Sequence, residues 1–213
     1  LTWAAWINVV LHAAGLAIAA VGMKPGTPLV PLNDRLAYLA GAPIGWTLGW
    51  ATWILCAVAL VIYLAILTRH LCDGADLARL GLVIALVGAG FDVTCDLLYI
   101  LVFPAAAAQP PAFAPTFVLL ERAMGIVSMS VANSAYAIAI LLTTLSLRGR
   151  PGFSRLVVVI GFAVSASGFL LSAAGITGVA WHAEFATGPT IGLFCVWVIM
   201  VARCVAQTRR VSE

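Results

Sequence analysis

The chain has 213 residues, 63% of them hydrophobic and only 9% charged, with a formal net charge of +3 and a mean hydropathy of +1.11. A soluble domain carries about 25% charged residues, and a water-facing surface needs them. The composition therefore excludes a soluble globular protein and points to an all-α protein integral to the membrane. The basic residues form no stripe, which argues against a nucleic-acid partner. Cys56, Cys72, Cys95, Cys195 and Cys204 form no CxxC pair and no His/Cys ligand cluster, so they read as buried thiols.

A membrane helix needs about 20 apolar residues. Six segments meet that length: 2–22, 44–68, 78–103, 115–146, 155–177 and 186–207. The breaks between them are rich in proline, glycine and charge: "KPGTPLVPLNDR", "RHLCDGAD", "PAAAAQPPAFAP", "RGRPGFSR" and "WHAEFATGP". In the first break, residues 32–41 read as a short helix on the outer surface. Asn33 or Asp34 would cap it, Leu36 and Leu39 would share a face, and Gly41 would end it. The fourth segment is overlong, so it is expected to tilt or to lie partly at the interface. The whole of 1–213 is one polytopic domain, because no soluble domain fits into what remains.

Lysine and arginine set the expected orientation. With the N-terminus in the cytoplasm, Arg69, Arg79, Arg148, Arg150, Arg155, Arg203, Arg209 and Arg210 lie on that side, and Lys24, Arg35 and Arg122 lie on the other. Eight against three places both termini in the cytoplasm. Trp46 and Trp181 would then mark the outer interface, and Trp3 and Trp6 the inner one. Segment one lacks a basic start and is interrupted by Asn8 and His12, so it does not read as a signal peptide. The stretch "PLNDRLAYLAGAPIGWTLGW" resembles bacterial membrane proteins, and the expected location is the bacterial plasma (inner) membrane. That resemblance supplies no function.

Small residues let helix backbones approach closely in lipid, and alternating steps of four and three keep them on one face. Segment one offers Asn8, His12, Gly15, Ala19 and Gly22. Segment two offers Gly45, Gly49, Thr52, Cys56, Ala59 and Tyr63. Segment three offers Gly81, Ala85, Gly88, Asp92, Asp96 and Tyr99. Segment five offers Gly161, Ser165, Gly168, Ser172 and Gly175, and segment six Gly188, Gly192, Cys195, Ile199 and Ala202. These seams predict a compact left-handed six-helix bundle with crossings near +20°.

On segment three the seam turns acidic. Asp92 lies near mid-depth and Asp96 about 6 Å further out on the same face. Each aspartate at a helix centre costs about 2.5–3.5 kcal/mol on insertion. Two carboxylates one turn apart in a low dielectric resist carrying both charges, so a shared proton or a bound cation is expected between them. His12 lies at a similar depth and would pair with Asp92 if segments one and three are neighbours. Asn8 would add a hydrogen bond, as would Tyr99, and Ser130, Asn133 and Ser134 lie near mid-depth on segment four. Glu121 and Arg122 lie further out, where the charged loop residues also gather, so a cavity opening outward is expected. The competing reading is structural: buried polar groups on different helices bond one another and fix register.

The expected site therefore has Asp92 and Asp96 as its acids and His12, Tyr99, Asn133, Glu121 and Arg122 as ligand-binding groups. Intramembrane ionisable residues mark functional sites by default. No HxxxH or ExxH spacing names a metal site, and no cofactor motif appears; a Schiff-base lysine would have to be Lys24, which lies in a loop. The reading is a membrane protein that binds, and in one version converts, a small lipophilic or cationic ligand. Its alternatives are an enzyme on a lipid or isoprenoid-like substrate with an aspartate general acid, a proton- or cation-coupled carrier, and an accessory subunit. Partners are the lipid bilayer and, by extension, a homo-oligomer or larger membrane complex.

Overall fold

The computed structural model describes residues 1–71, 75–177 and 180–212, without the side chains of 180–185 and 209–212. The described residues form helices and no strand. The helices are α1 (Thr2–Ile18), α2 (Leu32–Ala40), α3 (Ile44–Leu71), α4 (Asp76–Leu101), α5 (Phe103–Ala107), α6 (Ala114–Gly125), α7 (Asn133–Leu147), α8 (Arg155–Thr177) and α9 (Ala180–Ser212). A π-helical turn, Ala19–Met23, extends α1, and a longer π-helix, Ile126–Ala132, joins α6 to α7. Among the described residues, six stretches are long and apolar enough to cross a membrane, as expected of an integral membrane protein: Thr2–Gly26, Ile44–Leu71, Asp76–Leu101, Pro111–Leu147, Arg155–Thr177 and Ala186–Thr208. The fourth exceeds the others because it is a composite of α6, the π-helix and α7.

The spans pack in chain order and close on themselves. Each of α1, α3, α4, α7, α8 and α9 lies against the next, and α9 returns to α1. The connections at the end that carries the termini are short, and antiparallel neighbours there need only a tight turn, while the distal ones hold α2 and α5. Behind α1, the Tyr63 hydroxyl of α3 donates to the Val198 carbonyl of α9 at 3.0 Å. At the end of the bundle that carries both termini, Arg150 donates to the carbonyls of Leu71 at 2.6 Å and Ser146 at 2.7 Å. It thus satisfies a helix-end carbonyl that has no partner within α3.

Glycine and alanine make the close contacts. A Cβ on Gly45 would lie 2.9 Å from the Gly22 Cα, one on Gly81 2.8 Å from the Ala139 carbonyl oxygen, and one on Gly88 2.9 Å from the Ala135 Cβ. On α8, a Cβ on Gly168 would lie 3.0 Å from the Ala137 Cβ. The expected seams of segments one, two, three and five thus face protein. Segment six differs. A Cβ on Gly188 or Gly192 would meet nothing within 4 Å, and the buried face of α9 is Phe194, Trp197, Val198, Val201 and Ala202. The large residues on this face fit the small ones opposite: the Trp197 indole nitrogen would lie 2.7 Å from a Cβ on Gly161.

The distal end, opposite the termini, departs from the sequence reading in three ways. Helix α9 begins at Ala180, so "WHAEFATGP" continues a helix rather than breaking one. Helix α2 follows Pro31 and has no side-chain cap, so neither Asn33 nor Asp34 caps it, although Gly41 does terminate it. Trp46 is 3% exposed and donates its indole N–H to the Tyr99 carbonyl at 2.7 Å. A tryptophan with its polar atom bonded inside protein cannot serve as a membrane-interface anchor. Trp3 and Trp6 are exposed.

Replacing Gly45 by Ala sets a methyl against the backbone of Gly22, which cannot move as a side-chain tip can. The expected cost is about 1–3 kcal/mol, read as a lower thermal midpoint of the detergent-solubilised protein. Gly90→Ala, where a Cβ meets nothing within 4 Å, is expected to leave the midpoint unchanged or raise it slightly.

Candidate functional site

Helix α4 runs without interruption through Gly88–Gly90, so its period of 3.6 places Asp92 and Asp96 one turn apart toward the interior. The irregular backbone lies opposite, in the π-helix Ile126–Ala132, which packs on both α4 and α8. π-Helical turns widen the backbone ring and recur at functional positions. This one sends two serines to different neighbours: Ser128 Oγ donates to Asp92 Oδ1 at 3.0 Å, and Ser130 Oγ donates to the Ser172 carbonyl of α8 at 2.9 Å. Eight residues beyond Ser128, the Tyr136 hydroxyl of α7 donates to Asp92 Oδ2 at 3.2 Å.

The two acids are therefore treated differently. Asp92 is half-buried and both of its oxygens accept a hydroxyl donor. Asp96 is 1% exposed, and its Oδ2 has no hydrogen-bond partner among the described residues. Burying an unsatisfied polar atom is costly, and among the buried side-chain atoms without a partner in the described residues this is the one carboxylate oxygen. Cys56 of α3 and Tyr136 lie within electrostatic reach of both carboxylates, and Cys195 of α9 lies within reach of Cys56. Helices α3, α4, α7 and α9 thus converge on one region of the core. Among the described residues, no group of three His, Cys, Asp or Glu side chains is placed to hold a metal ion.

An aromatic layer adjoins Asp96 on the distal side. Trp50 stacks on Tyr99 with ring centroids 4.1 Å apart and planes at 11°. Trp46 meets both rings edge-on, and Phe103 packs against Tyr99 at 4.5 Å. Tyr99 continues the acidic face as expected, with its ring in this layer and its carbonyl accepting from Trp46.

The remaining residues of the expected site are dispersed. Helix α1 packs on α3 and α9, while α4 packs on α3 and α7, so α3 stands between His12 and the acids. His12 Nδ1 donates to the Asn8 carbonyl at 2.8 Å, and its ring packs against Trp53 and Phe194. The Asn8 amide donates to the carbonyls of Ala4 and Ala59. The Asn133 amide donates to the carbonyls of Ser128 at 3.3 Å and Met129 at 3.1 Å, so it serves the π-helix. Glu121 pairs across the distal end with Arg35 of α2, Nη2 to Oε2 2.7 Å, rather than with Arg122, which is exposed. Arg35 is itself 7% exposed and also donates to the Val30 carbonyl. With Leu39 it forms the face by which α2 docks on the distal end, while Asn33, Asp34, Ala37 and Ala40 on its other side are exposed.

Sequence reasoning missed Ser128, Tyr136 and Arg35. Tyr136 carried a signal, because a tyrosine deep in a span is away from the interface where its hydroxyl finds water. Ser128 carried a weaker one in the hydroxyl-rich "SMSVANS". Arg35 carried none, because its partner lies 86 positions away.

Ser128→Ala and Tyr136→Phe are each expected to lower unfolding free energy by about 1–2 kcal/mol, measured in detergent, while Ser167→Ala stays within about 0.5 kcal/mol. Removing either partner of the Arg35–Glu121 pair alone is expected to cost about 3 kcal/mol. The double substitution to Met at both positions should recover part of that loss, and a double-mutant cycle of thermal unfolding measures the coupling. The chain matches no protein-family model, no curated protein and no solved structure.

Proposed function

We propose that this chain is a ligand-binding protein of the bacterial plasma membrane, with both termini cytoplasmic in a left-handed bundle. Its ligand is a small lipophilic cation held at Asp96 and reached from the outer side. The orientation rests on the eight-to-three distribution of basic residues. The observation that carries the binding reading is the unpartnered Asp96 Oδ2 beside a fully partnered Asp92. A protonated amine supplies what that oxygen lacks, a charged N–H donor, and charge-assisted bonds are about twice as strong as neutral ones. The Trp50–Tyr99 layer makes the surroundings of Asp96 apolar, which favours a lipophilic cation over a strongly hydrated one. Ser128 and Tyr136 occupy Asp92 and so leave Asp96 as the acid with capacity to spare.

The test uses decylammonium as the probe, titrated into the purified chain in nanodiscs and read by tryptophan fluorescence. Asp96→Asn is expected to weaken binding at least about ten-fold, equivalent to 1.4 kcal/mol. Asp92→Asn should weaken it less, with both variants monodisperse. Unchanged affinity in a folded Asp96→Asn variant would sink this reading and leave the acids as structural hydrogen-bond nodes.

A further inference from the structure

Trp50 carries a second unmet polar group. The residue is half-buried, but its indole Nε1 is enclosed and has no hydrogen-bond partner among the described residues. Trp46, one turn away on α3, instead commits its N–H to the Tyr99 carbonyl. Helices α3 and α4 run antiparallel: Trp46 meets Tyr99 at the distal end, and Ile66 lies near Leu82 toward the termini. The step from Trp46 to Trp50 on α3 and the step from Tyr99 to Asp96 on α4 therefore lead the same way, each by about one turn. Trp50 lies on the Tyr99 ring at 4.1 Å, so its indole stands within about one helical turn, ~5.4 Å along the axis, of the Asp96 level. Two enclosed atoms without partners thus share one part of the core, and they are of opposite kind. Asp96 Oδ2 accepts, and Trp50 Nε1 donates. They do not bond each other, since both are left unpaired.

We infer that the ligand held at Asp96 is an alkylamine that also carries a neutral oxygen acceptor, an ether or hydroxyl, close to its nitrogen. The inference rests on the cationic reading proposed above and names the class of ligand within it. The ammonium donates to Asp96 Oδ2 while the oxygen accepts from Trp50 Nε1. A plain alkylamine meets only the first of these atoms. A donor sealed from water gives up no water when it bonds, so it gains more than a surface donor does. A site with a fixed buried donor also discriminates against the analogue that offers a methylene in place of the acceptor. Trp197 supplies the contrast. Its Nε1 is also unpartnered, but it belongs to the cluster toward the termini, and its unpartnered neighbour there is the Thr144 hydroxyl. That pair offers no charge to hold an ammonium.

The test compares two probes, titrated into the full chain in nanodiscs and read by isothermal titration calorimetry. N-methoxyethyl-decylammonium and N-butyl-decylammonium share one outline and one charge, and differ by an ether oxygen in place of a methylene. The butyl probe enters lipid more readily, so partitioning alone favours it. The wild type is expected to bind the methoxyethyl probe about ten-fold more tightly. Trp50→Phe keeps an aromatic ring on Tyr99 and removes the N–H, and should bring that ratio to about one or below. Trp197→Phe should preserve the ratio, and Asp96→Asn should weaken both probes. Thermal midpoints near wild type establish that the variants fold, and the wild-type ratio tests the inference without any variant. Equal affinity for two probes that both depend on Asp96 overturns this inference alone and leaves the cationic reading standing. So does a preference that survives in folded Trp50→Phe, or one that is lost in folded Trp197→Phe. Binding of neither probe, or binding indifferent to Asp96→Asn, overturns both.

Discussion

The whole architecture depends on how closely helix backbones can approach in a medium that gives them no hydrophobic reason to associate. Lipid tails solvate leucine and valine as well as another helix does, so association must come from dispersion contacts and interhelical hydrogen bonds. The chain meets this with glycine and alanine where backbones cross, Gly22 against Gly45 and Gly81 against Ala139. Bulky Leu, Ile and Val side chains face outward. Hydroxyl groups then reach carbonyls on neighbouring helices, as Tyr63 does on α9 and Ser130 on α8.

Close approach also sorts the interior into two regions. Toward the termini, Tyr63, Leu64, Leu67, Trp197, Val198 and Val201 fill the space between helices with large side chains. Toward the distal end, Met23, Leu39, Trp46, Tyr99, Phe103 and Phe117 form a second cluster, sealed by α2. The carboxylates lie on the stretch of α4 that enters this second cluster. A buried acid is tolerated there because the helices around it bring Ser128 and Tyr136 within bonding distance.

Much of this was legible from residue order. Span number follows from hydropathy, and the inward faces of α1, α3, α4 and α8 follow from small residues repeating at helical spacing. Segment six failed because its packing is complementary rather than small-to-small: Trp197 enters the space that Gly161 leaves. Periodicity within one helix cannot register what the facing helix lacks. The pairing of His12 with Asp92 failed for a topological reason, since chain-order packing interposes α3 between segments one and three. The partners of Asp92 were hidden by the π-helix, which breaks the 3.6-residue period on which face assignments rest. Arg35 looked like a loop charge because burial of an arginine depends on an anion supplied from elsewhere, here Glu121.

The π-helix of the fourth span has a mechanical meaning as well. A π-helical turn carries one more residue than an α-helical turn, and one residue corresponds to about 100° of rotation at 3.6 residues per turn. The two halves of this span are therefore out of phase, like two lengths of one screw cut and rejoined after a partial twist. The distal half can aim Glu121 at α2 while the other half keeps Ala135, Ala139 and Thr143 toward α4. A regular helix would have to satisfy both neighbours with a single phase. The Asn133 amide, bonded to two carbonyls of the turn, holds that phase difference in place. In evolutionary terms, a one-residue insertion would supply such an offset, letting one end of the bundle diversify without repacking the other.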